Sequence, residues 1–317
     1  MPRPGDRLPA ILAAFGLGRH GRLSEEPVAR GRLGAIWRLE TDDAGWAVKV
    51  VDETDAEDLA GILEGAAFQE AAAASGVPTP QVRRTTDGAV IAELDDDVHV
   101  RVQSWVDLAE PALDLDADAL GSLVARLHEV PFDGSAPFDD WYRTPVGESA
   151  WREWVRRLVQ ARAPFADELD GLVPELVALE AWVVPPPRPL RTCHRDLWAD
   201  NVRRTPGGGL CVFDFDDAGL ADPSQELACV LVEYAGSDPS RARAIRDAYA
   251  EAGGPGSVQT PTDFSMAIAQ LTHILEEGFR RWLVAGTDAD RDDNEAWVRE
   301  YLDRPLSRDG IDALLAG

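Results

Sequence analysis

His194-Arg-Asp-Leu-Trp-Ala-Asp-Asn201 is followed, after the turn Thr205-Pro-Gly-Gly-Gly209, by Val212-Phe-Asp-Phe-Asp216. The glycine-rich turn folds the chain back between two short apolar runs. Asn201 and Asp214, thirteen positions apart in the sequence, can therefore meet on neighbouring connections of a small sheet. A carboxamide oxygen and a carboxylate form a hard-oxygen pair suited to Mg²⁺, with water and phosphate completing its shell. Asp196 is then left to orient an attacking hydroxyl and accept its proton.

Outward from this stretch the chain divides by pattern. Ala35 to Thr41 alternates apolar and polar, Asp42 to Gly45 supplies turn chemistry, and Trp46 to Val51 follows as the second strand of a hairpin. Asp55 to Ser75 is alanine-rich and helical, ended by Gly76 with Pro78 and Pro80. Strands are expected at Ala89–Glu93 and Val98–Trp105, with Asp95 to Asp97 as their turn. Beyond Asp107 helical periodicity takes over, at Leu113–Val130, Trp151–Ala163, Glu168–Trp182, Pro223–Tyr234, Arg241–Ala252 and Asp263–Val284. Val184-Pro-Pro-Pro-Arg-Pro189 must run extended. A β-rich part followed by a helical part predicts an α+β protein of two lobes, 1–107 and 108–317, with a cleft between them.

Composition narrows the chemistry. Acidic residues outnumber basic ones, 57 to 31, for a net charge of −26. Such a surface repels nucleic acid. It either draws in a cationic substrate or serves only solubility. No apolar run is long enough to span a bilayer, so no membrane partner is expected. The apolar stretch Leu8 to Leu17 is interrupted by Pro9 and lacks a cleavage pattern, so no secretory signal is expected. Cys193, Cys211 and Cys229 show no metal-ligand spacing, which suits buried thiols in a reducing cytoplasm. Thirty of the 31 basic residues are arginine, and Lys49 is the only lysine. A compact ammonium kept amid planar guanidinium forks suggests a position that only the smaller donor fits.

The His194–Asn201 and Val212–Asp216 segments together resemble the catalytic loop and metal-binding segment of the kinase-like superfamily, in its aminoglycoside phosphotransferase and choline kinase branch. That branch carries H-x-D-x-x-x-x-N and then an Asp beyond a short hairpin. Further likeness lies in Gly76-Val-Pro-Thr-Pro-Gln-Val82, Leu123-Val-Ala-Arg-Leu-His128 and Asp222-Pro-Ser-Gln-Glu-Leu-Ala228. The resemblance implies a bilobal, protein-kinase-like fold and transfer of the γ-phosphoryl group of ATP, with Mg²⁺, to a hydroxyl of a small molecule. It implies that Asp196 is the base and that Asn201 and Asp214 hold the metal. Lys49 would hold the ATP phosphates, steadied by Glu64 or else by Glu70. His194 would support the loop by hydrogen bonding. Ser104 and Val106, in Gln103-Ser-Trp-Val106, would offer backbone groups to adenine.

Gly31-Arg-Leu-Gly34 is a sparse phosphate loop without the G-x-G-x-x-G pattern. A protein kinase is an alternative, but Asp214-Phe-Asp216 lacks the glycine of D-F-G and no A-P-E follows. A nucleotide-binding regulator without activity is another, although every polar residue the chemistry needs is present. Glu276 and Glu277 could line an acceptor pocket for an amine-bearing compound, or simply pair with Arg280 and Arg281.

Overall fold

The computed structural model describes residues 7–31, 34–51, 56–94 and 98–316. Helix α1 (Leu8–Phe15) leads into strands β1 (Gly21–Leu23), β2 (Ala29–Gly31), β3 (Gly34–Thr41) and β4 (Gly45–Val51). Helix α2 (Ala56–Ala74) follows, then β5 (Val82–Arg83), β6 (Ile91–Leu94) and β7 (Val98–Ser104). All seven strands form one antiparallel sheet in the order β1-β3-β4-β7-β5, with β2 on β3 and β6 on β7. The expected turn at Asp95–Asp97 lies outside the described residues, as do Arg32 and Leu33 of the sparse glycine loop.

Alternation explains the sheet. Ala35, Trp37 and Leu39 of β3 and Val48 and Val50 of β4 face a core completed by Ile11, Leu12 and Phe15 of α1. Pro9 does not break that apolar stretch. It sits in the first turn of α1, where its missing N–H costs nothing. Burying each large apolar side chain there contributes roughly 1.5–3 kcal/mol.

The remainder is mainly helical: α3 (Ala117–His128), α4 (Asp140–Arg143), α5 (Glu148–Ala161), α6 (Ala166–Glu180), α7 (Pro223–Ala235), α8 (Pro239–Glu251), α9 (Ser265–Val284), α10 (Asp288–Leu302) and α11 (Arg308–Ala316). Helix α3 starts later than periodicity alone suggests, because the Asp116 side chain caps it by accepting from the Ala119 N–H. Two small antiparallel pairs interrupt the helices. Strand β8 (Arg191–Cys193) pairs with β11 (Gly219–Ala221), and β9 (Val202–Arg204) pairs with β10 (Leu210–Val212). They carry the loops that the sequence singled out. The three cysteines are buried and unbridged. Among the described residues no helix is long and apolar enough to cross a membrane.

Candidate active site

Pairing of β9 with β10 places the connections before and after the hairpin side by side. Phe213 N–H donates to the Asn201 carbonyl at 3.1 Å. His194 Nε2–H donates to the Phe213 carbonyl at 3.2 Å. Burial holds the His194 imidazole below its ordinary pKa, so the ring is neutral and holds the loop in place. Its face meets Phe215 edge-on, at 4.6 Å between centroids, and Phe215 in turn meets Phe68 of α2 at 5.7 Å. One aromatic row thus ties the His194–Asn201 segment, the Asp214–Asp216 segment and the sheet's helix together.

Arg195 has its backbone N–H bound by Glu226 and its carbonyl by Gln270 Nε2 at 2.9 Å. Its guanidinium donates to the carbonyls of Asp217 and of Pro137, the latter at 2.7 Å, and lies over the Tyr142 ring. These contacts hold Arg195 at φ 63°, a left-handed conformation rare outside glycine. Glu226 of α7 also bonds His128 of α3 at 2.6 Å. Burial alone would raise the Glu226 pKa, but His128 and the Arg195 N–H lower it. His128 is therefore a packed anchor beneath the loop. Immediately beyond Arg195, the Asn201 Nδ2–H group donates to Asp196 Oδ2 at 2.6 Å and to the Asp196 carbonyl at 3.0 Å.

From strand β4, Lys49 Nζ lies 3.4 Å from Asp214 Oδ1 and 2.7 Å from Asp216 Oδ2. Asp214, at φ 60°, keeps a side chain 35% exposed, whereas that of Asp216 is 5% exposed. Burial works against the charge of Asp216, but Arg101 and Lys49 hold its pKa well below the usual range. Burial and the neighbouring Asp216 push Asp214 upward.

Two expected partnerships differ in the structure. Glu64 does not contact Lys49. Its carboxylate accepts from the Ser135 hydroxyl at 2.6 Å, the Ser135 N–H at 2.6 Å and the Ala136 N–H at 2.8 Å. Three donors converging on one carboxylate outbid a single ammonium that already has Asp216. Glu70, the second candidate, holds Arg84 in a bidentate pair. At the expected hinge, the Ser104 N–H donates to the Gln81 carbonyl at 2.8 Å, so it is not available to a base. No such bond engages the Val106 backbone among the described residues. Glu277 pairs with Arg280 and Arg281, while Glu276 accepts from Trp154 Nε1 at 2.8 Å. Asp216, Arg101 and Glu226 were not singled out from the sequence. Asp216 carried a signal there as the second acid of Asp214-Phe-Asp216, and Glu226 as part of Asp222-Pro-Ser-Gln-Glu-Leu-Ala228, whereas Arg101 carried none.

Residues 24–260 match the model of the phosphotransferase enzyme family. The chain belongs to that family. Its fold is shared by spectinomycin phosphotransferase APH(9)-Ia, solved with ADP and spectinomycin. The TM-score is 0.70 at 13% identity, over 100% of this chain and 99% of the other. A microcompartment-associated aminopropanol kinase superposes with TM-score 0.60 at 17% identity, over 97% of this chain and 99% of the other. A choline/ethanolamine kinase family protein from Mesorhizobium loti gives 0.56 at 17% identity, over 99% and 100%. No curated protein sequence matches the chain. The fold is thus the α+β, kinase-like one of these phosphotransferases, with its β-rich part first and its helical part second.

Proposed function

We propose that this phosphotransferase moves the γ-phosphoryl group of ATP to a hydroxyl of a small, positively charged acceptor. One observation carries the reading: the solitary lysine meets Asp214, whose neighbour Phe213 bonds the Asn201 that holds Asp196. Lys49 is the phosphate-binding cation. Asp196 orients the acceptor hydroxyl and takes its proton as the new O–P bond forms and the bond to ADP breaks. The Asn201 amide keeps the Asp196 carboxylate aimed, so little reorganisation is needed at the moment of transfer. Val106 offers its backbone to adenine, at the end of an N-terminal lobe that runs to residue 107, with residues 108–317 forming the acceptor lobe.

Mg²⁺ fits the donor set. Asp214 is the carboxylate of its pair that retains solvent access, and the Asn201 carboxamide oxygen is the hard donor left once its nitrogen serves Asp196. Bound there, the ion would neutralise charge on the transferring phosphoryl group. For the acceptor, the net charge of −26 favours a cation such as an aminoglycoside or an amino alcohol. Three unbridged buried thiols accord with a reducing, ATP-containing cytoplasm.

The test is an MgATP assay against hydroxylated amines, sugars and antibiotics, with products identified by mass. Phosphorylated amines are the expected products. Asp196→Asn should lower turnover about 10²–10⁴-fold while MgATP still binds. Unchanged turnover would remove Asp196 from the scheme, and a set of accepted substrates that are all neutral or anionic would remove the cationic acceptor.

A further inference from the structure

With Glu64 committed to Ser135 and Ala136, and Glu70 to Arg84, no acid of helix α2 among the described side chains reaches Lys49. The ammonium rests on Asp216 instead. On the adjacent strand β7, Arg101 stands directly opposite Lys49 in the β4–β7 register, and its side chain is 7% exposed. Both terminal nitrogens of Arg101 grip Asp216, Nη1 on Oδ1 and Nη2 on Oδ2 at 2.7 Å, while Nη2 also lies 3.5 Å from Asp214 Oδ1. Two cations from neighbouring strands therefore face two carboxylates from one short segment.

We propose that Arg101 is a positioning residue of the nucleotide site: its bidentate grip makes Asp216 the strut for Lys49 and leaves the ammonium charge available to a polyphosphate. The inference rests on the reading of Lys49 as the nucleotide's lysine. Two acids and two cations sum to zero. Without Arg101, Asp216 would have Lys49 as its one charged partner among the described residues, and the ammonium would be drawn onto the acid and away from a polyphosphate. Water cannot replace the guanidinium, because the Asp216 side chain is 5% exposed. A fork that takes both carboxylate oxygens also fixes the plane of Asp216, which a point charge would not. An ordinary buried ion pair could be exchanged for an apolar one at little cost to function. Here the carboxylate has a third partner, and that partner is Lys49.

The test uses the full chain and variants Arg101→Met, Arg101→Lys and Lys49→Ala. Calorimetric affinities for MgATP and for adenosine, which lacks phosphates, are compared, with thermal melting as the fold control. Arg101→Met should weaken MgATP at least tenfold, leave adenosine within twofold, and be partly rescued in Arg101→Lys. If Arg101→Met does not fold, Arg101→Met/Asp216→Asn removes both charges from the interior and should show the same selective loss. Parental MgATP affinity in the folded variant, or an equal loss for adenosine, would overturn the proposal. Should Lys49→Ala weaken MgATP while the Arg101 variants do not, only the role of Arg101 falls. Should Lys49→Ala bind MgATP like the parent, the reading of Lys49 falls and this inference with it.

Discussion

Arg195 and Asp214 adopt left-handed backbone angles, and each lies beside a residue assigned to chemistry or is itself one. Such conformations persist only where the surroundings over-determine them. Around Arg195 the surroundings are Glu226 and Gln270, and around Asp214 they are the Phe213 bonds to Asn201 and His194. Lys49 was legible in the sequence because it is unique, and Asp196, Asn201 and Asp214 because their spacing is informative. Arg101 was not, since nothing marks one arginine among thirty until strand register sets it opposite Lys49. Single replacements at the site should act on chemistry and not on folding. Lys49→Ala and Asp214→Asn are each expected to cut kcat/KM by about 10²-fold or more, with melting temperatures near the parent's. Near-parental rates in either variant, once an acceptor is known, would contradict the assignment.

Helix α2 was legible as an element, but what it touches was not. Its glycines at 61 and 65 are one turn apart and face the Asp214–Asp216 segment. A Cβ on Gly65 would lie 2.1 Å from the Phe215 carbonyl oxygen, whereas one on Gly61 would sit 3.8 Å from the Asp216 oxygen, an ordinary contact. This close approach explains how α2 can pack against the segment with Phe68 edge-on to Phe215. The two positions should therefore respond oppositely. Gly61→Ala should be neutral or stabilising by up to about 1 kcal/mol, since alanine is the better helix former. Gly65→Ala must push α2 off the segment, with a lower melting temperature and weaker MgATP binding. Equal behaviour of the two variants would refute this packing. The Lys49 partner was misplaced for a related reason. The family resemblance implied an acid on α2 as that partner, but the loop at Ser135 and Ala136 offers Glu64 three donors.

Those same donors link the sheet's helix to the helical half of the molecule, and the link depends on charge. Burial raises the Glu64 carboxyl, but the Ala136 N–H and the Ser135 hydroxyl and N–H outweigh it and lower its pKa from 4.5. A carboxyl depressed in the folded state stabilises it above the unfolded pKa, and that benefit vanishes as pH falls through the folded value. The melting temperature of the parent should therefore exceed that of Glu64→Gln at pH 7, with the gap closing below about pH 4.5. A constant gap from pH 3 to pH 7 would argue against the charged contact. The net charge of −26 gives a second test on the same scale. Raising ionic strength should increase KM for a cationic acceptor and leave a neutral analogue unaffected, because salt screens long-range attraction. Alternation, helical periodicity and the spacing from His194 to Asp214 made the β3–β4 hairpin, α2, the longer helices of the second half and the family legible, since these are local patterns carried by neighbouring residues, whereas α1, β1, β2, β5, α10 and α11 were not read from them. Which cation grips Asp216, which loop captures Glu64 and which hinge amide is already bonded were decided by folding, because donors and acceptors far apart in the chain compete for one another only after strands align and helices dock.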